Sequence, residues 1–155
     1  MQKQSAGILL YRFTDGSMEI FLVHPGGPLW SKKDAGSWSI PKGEFTNEED
    51  ALTAAKREFF EETGTEISGD FHELKPVKQK SGKIVHAWTI KGNIDPDKIK
   101  SNNFEMEWPL RSGKMQSFPE IDRGCWFGVS EAKEKINQSQ KALIDQLLNI
   151  ITENL

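Results

Sequence analysis

Glu58, Glu61 and Glu62 stand three and four residues apart, with Arg57 just ahead of them and Gly64 two residues behind. At 3.6 residues per helical turn, their side chains converge on one face. Like charges so placed repel by about 0.2–0.5 kcal/mol per pair on a bare helix, and burying them unpaired costs far more. A hard divalent cation offsets both. Mg²⁺ and Mn²⁺ prefer carboxylate oxygen and keep several waters, which suits them to bridging a carboxylate cluster and a substrate pyrophosphate. The plain alternative is a solvated acidic helix face, since most charge runs are wet surface.

A helix must carry the cluster. Thr46 followed by Glu49 forms a capping-box pattern, acids gather at Glu48, Glu49 and Asp50, and Gly64 supplies a stop, which predicts a helix over about residues 47–63. Its apolar arc, Ala51, Leu52, Ala55 and Phe59, lies beside the carboxylates, so packing on a sheet would hold Glu58 and Glu62 at the edge of a cleft. Arg57 precedes Glu61 by four residues and can pair with it or reach Glu49, a role in orienting carboxylates beyond that of a surface ion pair.

The rest reads as α/β. Ser5–Phe13 and Met18–His24 are apolar, β-rich runs separated by Thr14, Asp15, Gly16 and Ser17, a hairpin expected at the sheet's centre. Ser37–Ile40 alternates like a short strand that Pro41 ends, and Lys42 and Gly43 then form a turn into the helix. Further strands are expected near 71–78, 83–90, 104–109 and 124–129, a surface loop over 94–103, and helices near 130–136 and 140–152. The last helix has amphipathic spacing at Leu143, Ile144, Leu147, Leu148 and Ile151.

A chain of 155 residues reads as one domain, 1–155, able to bury about two-thirds of its unfolded surface. A net charge of −3 argues against nucleic-acid binding through a global basic field, so no DNA partner is expected. The apolar run Ala6–Tyr11 is too short to span a membrane and poorly shaped as a signal peptide, so the expected location is the cytoplasm and no membrane partner is expected. The lone Cys125, beside Trp126 and Phe127, reads as a small buried side chain rather than a reactive thiol. His86 lies inside an apolar strand, and neither His24 nor His72 has a ligand-like partner, so no transition-metal histidine site is expected.

From Gly43 to Thr65 the residues Gly43, Glu49, Arg57, Glu58, Glu61, Glu62 and Gly64 fit G-x5-E-x7-R-E-u-x-E-E-x-G-u, where u is apolar, and only Thr65 departs. Seven fixed residues at about 6–7% usage each coincide by chance in on the order of one window in 10⁸. The chain thus resembles the Nudix hydrolases, whose box this is. The resemblance implies an α/β/α sandwich with a mixed sheet between helices, and Mg²⁺- or Mn²⁺-dependent attack of water on a pyrophosphate phosphorus. It implies that Glu58, Glu61 and Glu62 hold metal, completed by the Lys42 backbone carbonyl, with Glu49 as supporting ligand or base. A later glutamate supplies the base in some relatives; Glu120, ahead of the strand with Trp126 and Phe127, is the first choice, and Glu105 and Glu107 are weaker ones.

Trp38–Gly43 resembles the segment before the box in diadenosine polyphosphate hydrolases, where the lysine helps to hold phosphate, which marks Lys42 for substrate. His24–Trp30 resembles a stretch in uncharacterised bacterial Nudix proteins and brings Trp30, with Lys32 and Lys33, toward the presumed mouth. The proline expected about 15 residues after the box in ADP-ribose enzymes, and the later tyrosine of one dinucleoside polyphosphate class, are missing: positions 79–83 read Gln-Lys-Ser-Gly-Lys. The expected substrate is a small nucleoside diphosphate-linked molecule of open identity. A non-catalytic nucleotide-sensing module and a hydrolase of RNA 5′ ends stand as alternatives.

Overall fold

A computed structural model describes residues 3–153; Met1, Gln2, Asn154 and Leu155, at the ends of the expected 1–155 domain, lie outside it. The elements run β1 (Gln4–Thr14), β2 (Ser17–Pro25), β3 (Lys42–Phe45), α1 (Ala51–Thr63), β4 (His72–Glu73), β5 (Val77–Lys78), β6 (Ile84–Lys91), β7 (Asn103–Glu107), β8 (Met115–Pro119), β9 (Ile121–Gly128), α2 (Val129–Lys135) and α3 (Lys141–Glu153). One seven-stranded mixed sheet has the order β4-β6-β1-β2-β9, with β3 added to β1 and β5 to β6; β7 and β8 form a separate ribbon. Among the described residues, no helix is long and apolar enough to cross a membrane.

β1 lies at the centre, as the hairpin pattern predicts, and is buried on both faces. Its alternation sorts the layers. Ala6, Ile8 and Leu10, with Phe21 and Val23 of β2, pack against Ala54, Ala55 and Phe59 of α1. Leu9, Ile20 and Leu22 face the opposite layer, where Ala132 of α2 and Leu143, Ile144 and Leu147 of α3 close the core. The β1–β2 turn is made by Asp15 and Gly16, both at positive φ, the geometry a two-residue hairpin requires.

Several elements differ from expectation. α1 starts four residues late: its N-cap is Asp50, whose carboxylate accepts from the Thr53 N–H at 3.2 Å. Thr46 and Glu49 instead close a turn ahead of the helix, and the Glu49 carboxylate is taken by Arg57. Lys42 and Gly43 are not a turn but the start of β3, which pairs antiparallel with Gln4–Gly7 of β1. Ser37–Ile40 keeps only isolated bridges, Val23 to Ser39 and Trp38 to Ile136. The run 71–78 splits into β4 and β5 around Pro76, which cannot donate to a ladder. β8 was not expected at all, because Met115–Pro119 is exposed and lacks an apolar alternation.

The loop after β6 does more than join strands. The Lys100 N–H donates to the Thr63 carbonyl at 3.0 Å and the Asn102 N–H to the Glu61 carbonyl at 2.8 Å, so it caps orphan acceptors at the α1 C-terminus. Gly64, at φ 77°, allows the reversal. Cys125 is half-buried, and burial pushes its thiol pKa up, which suits an inert side chain. His86 is a structural residue, with Nε2 2.7 Å from Gln4 Oε1 and its ring edge-on to Phe45.

Asp50→Ala is expected to lower stability by about 1 kcal/mol in urea denaturation, the usual worth of an N-cap, and Thr46→Ala to leave it within about 0.5 kcal/mol.

Candidate active site

Arg57 organises the acidic end of α1. Its Nε and Nη2 donate to the two oxygens of Glu49, each at 2.9 Å, in a fork-to-fork pair. Its Nη1 donates to Glu58 Oε1 at 2.8 Å and to Glu61 Oε2 at 3.0 Å. The pairing holds the Glu49 carboxyl below its usual range, and Glu49 reaches the cluster through the arginine.

Glu58 lies against the backbone of β3. A Cβ on Gly43 would sit 2.0 Å from Glu58 Oε2 and 2.1 Å from its Cδ, so only glycine leaves room for this carboxylate. Gly43 is needed here for close approach, not for an unusual turn. One residue earlier, the Lys42 N–H donates to Glu62 Oε1 at 3.0 Å, which pins Glu62 to the same strand. Two successive residues of β3 therefore receive two carboxylates of α1.

Glu120 joins them through the backbone. Its N–H donates to the Asn102 carbonyl at 2.9 Å, while the Asn102 N–H caps Glu61, so one residue links the helix end to the segment between β8 and β9. Burial raises the pKa of Glu62 to about 8, against the pull of the Lys42 N–H and ammonium. Burial also raises Glu58, with the Glu61 charge adding to it, and raises Glu120, again helped by Glu61. Three carboxyls held above their ordinary range are short of positive charge, and an all-oxygen donor set of this kind fits Mg²⁺ or Mn²⁺. Among the described residues, no three such side chains converge closely enough to grip an ion as they are placed. Arg57 and the Lys42 N–H engage oxygens of Glu58, Glu61 and Glu62.

A cleft of ≈ 240 Å³ opens where the end of β2 parts from β3, with Trp30, Lys42, Glu62, Glu120 and Gln140 in its walls. Lys42 is not the exposed turn lysine its local sequence suggests: burial, with the nearby Lys83 charge, lowers its pKa, while Glu62, Glu44 and Glu58 pull it back up. Trp30 lines the cleft, whereas Lys32 is exposed and does not, and Lys33 lies over the Trp30 ring at 4.8 Å. Gly26 lies so close to β8 that a Cβ would meet the Pro119 carbonyl oxygen at 2.0 Å. Glu107 is engaged elsewhere, accepting from the Arg111 and Gly113 N–H groups in the β7–β8 turn, and Glu105 also sits on that ribbon.

Sequence reasoning missed Asn102, Gln140 and the steric role of Gly43. Gln140 is 1% exposed and accepts from the Ile40 N–H at 3.1 Å, which braces the segment that leads into β3. Nothing local marks it, since its partner is 100 residues away.

The sandwich and its carboxylate–arginine helix define a pyrophosphohydrolase of the α/β class. The chain belongs to the Nudix family: the NUDIX domain matches residues 1–147. It is similar in fold to a Caenorhabditis elegans Ap4A hydrolase in a binary complex (22% identity, 97% of this chain and 98% of that one, TM-score 0.69). It is similar also to the NUDIX domain of Shewanella oneidensis NrtR complexed with ADP ribose (15%, 97% and 89%, TM-score 0.66). A mutT/nudix family protein from Listeria innocua aligns at 17% identity over 98% of this chain and 95% of that one, with TM-score 0.64. No curated protein matches the sequence.

Two outcomes are expected. Gly43→Ala should displace Glu58 and lower kcat about 10²-fold, the cost that a misplacement of about 1 Å can carry, with a circular dichroism spectrum like that of the wild type. Because the folded pKa of Glu62 lies above its ordinary 4.5, its contribution to stability is complete below the unfolded value and lost as pH climbs through about 8. In EDTA the melting temperature should therefore fall between pH 5 and 9, less steeply in Glu62→Gln, and Mg²⁺ should raise it more at pH 9 than at pH 6.

Proposed function

We propose that the protein is a Mg²⁺- or Mn²⁺-dependent hydrolase of nucleoside or dinucleoside polyphosphates, in a single domain, with water attacking phosphorus. The observation that carries this reading is the meeting of Glu62 and Glu120 with Lys42 and Trp30 around one cleft, beside Glu58 and Glu61 on the same helix, which Arg57 holds. A bound divalent cation would neutralise the pyrophosphate and lower the pKa of a water it holds. Glu58, Glu61 and Glu62 would hold it, together with the Lys42 carbonyl, and Arg57 would keep Glu58 and Glu61 oriented.

The Lys42 ammonium, partly desolvated beside Glu62, Glu44 and Glu58, would gain a further anionic partner when a phosphate enters. Burial, with the Glu61 charge, raises the Glu120 carboxyl above its ordinary range, and its place in the cleft wall suits it to take a proton from the attacking water. Trp30, 39% exposed, offers a ring face on which a base can stack. The likeness of Trp38–Gly43 to diadenosine polyphosphate hydrolases, together with the fold shared with the Ap4A hydrolase, supports including dinucleoside polyphosphates. The ADP ribose bound by the NrtR domain makes that ligand a natural control.

The test is a substrate panel of diadenosine polyphosphates, nucleoside triphosphates, ADP-ribose and 5′-triphosphorylated RNA, with Mg²⁺ or EDTA and products identified by mass. Cleavage that requires the cation is expected on a nucleoside or dinucleoside polyphosphate. Glu62→Gln and Glu120→Gln should each lower kcat by about 10²-fold or more, the range for a lost charge-stabilising or proton-transfer group. Binding without cleavage across the panel would assign the chain to nucleotide sensing instead.

A further inference from the structure

His24 ends β2 fully buried, at 0% exposure, and yet both of its ring nitrogens have partners. Nδ1 lies 2.9 Å from Asp122 Oδ1 and Nε2 lies 2.7 Å from the Lys33 carbonyl oxygen. Each ring nitrogen thus faces an oxygen, one on either side of the imidazole. A buried imidazole needs hydrogen bonds somewhere, and these two tie the Lys33 segment of the loop and Asp122 of β9 to the end of β2.

One arm of the tie is the loop that carries Trp30. Between β2 and β3 this loop has no ladder of its own, and it is anchored at its far end: Trp38 Nε1 donates to Asp34 Oδ1 at 2.8 Å, Lys135 pairs with Asp34, and the Gly36 N–H donates to the Glu134 carbonyl at 3.1 Å. The Lys33 carbonyl, three residues beyond Trp30, is held by His24. The other arm is the start of β9. His24 pairs with Arg123 and Pro25 with Ile121, which leaves Asp122 as an extra residue, a β-bulge. A bulge re-aims its side chain, and here the Asp122 carboxylate reaches the imidazole two residues after Glu120. Two residues after His24, the Gly26 N–H donates to the Glu120 carbonyl at 2.8 Å, so the end of β2 also holds the backbone that carries that glutamate.

We propose that His24, with Asp122, is a positioning pair that sets the separation of the two cleft walls, the Trp30 loop and the Glu120 segment, and so matches the cleft to a phosphate chain bearing a base. The pair touches neither phosphate nor water. It acts through Trp30 and Glu120, and its importance for substrate rests on the function proposed above.

His24→Phe keeps a ring edge-on to Trp38, 5.1 Å away in the wild type, and removes both ring nitrogens. Hydrogen exchange followed by mass spectrometry needs no substrate. Residues 26–36 and 119–123 are expected to exchange at least about fivefold faster together in His24→Phe, while α1 and α3 keep their protection. Asp122→Ala should loosen 119–123 alone, and Asp122→Asn, which keeps an acceptor oxygen, should resemble the wild type. In calorimetry with Ca²⁺ replacing Mg²⁺, the Kd for ATP should rise about tenfold in His24→Phe while that for inorganic tripolyphosphate stays within about twofold, since only the base meets the Trp30 wall. Unchanged exchange at 119–123, or equal weakening of ATP and tripolyphosphate, would overturn the pairing role. Failure of the wild type to cleave any member of the nucleotide panel would defeat the proposed activity, and the exchange experiment would still decide the tie.

Discussion

The guanidinium of Arg57 holds three carboxylates at once, and the acidic end of α1 depends on that arrangement. Without it, Glu58 and Glu61 would repel one another beside a half-buried Glu62, and Glu49 would have no reason to fold back from the turn ahead of the helix. An arginine suits the task better than a lysine, because its planar fork satisfies Glu49 with two donors and leaves a third for the helix. The same contacts explain why α1 begins at Asp50: the chain spends residues 46–49 in bringing Glu49 round to the arginine.

Neutralisation by Arg57 is incomplete, and the remainder is what gives the site its character. Glu58, Glu62 and Glu120 keep carboxyls above their ordinary range because burial removes more stabilisation from the charged form than Arg57 and the Lys42 N–H restore. A fold optimised for stability alone would have few reasons to gather such groups at a sheet edge. Their placement follows from backbone features: Gly43 leaves space for Glu58, the Lys42 amide receives Glu62, and Asn102 carries the helix end across to Glu120. Glycine, an amide and a loop residue join β3 and α1, which are neighbours in the chain, to the segment before β9, nearly sixty residues further on.

The cleft has a different construction from the acid cluster. Its acidic wall rests on α1 and β3, which are packed against the sheet, whereas its aromatic wall stands on a loop. Such a wall needs anchors, and the loop takes them from α2 through Asp34 and from β2 through His24. The rigid half suits charge and phosphate, where small displacements are costly; the anchored loop suits a base, for which a ring face tolerates some variation.

Legibility divided along the same lines. The carboxylate cluster, the helix end at Gly64, the β1–β2 hairpin and the amphipathic α3 could be read from the sequence, because each is set by spacings of two to four residues and by the local preferences of glycine and capping groups. The Arg57–Glu61 pair was legible for that reason, and the longer reach to Glu49 could be named as a choice but not decided. Tertiary structure alone decided that Lys42 and Gly43 form a strand, that Lys42 is largely buried, that Lys32 stays outside the cleft, and that Glu120 rather than Glu105 or Glu107 meets the cluster. His24 shows no ligand-like partner in the sequence, and its two hydrogen-bond partners, 9 and 98 residues away, come only with the fold. A helix face is determined within one turn of chain, but a partner reached by pairing β3 with β1, or by a bulge in β9, depends on which strands meet, and no local run of residues specifies that.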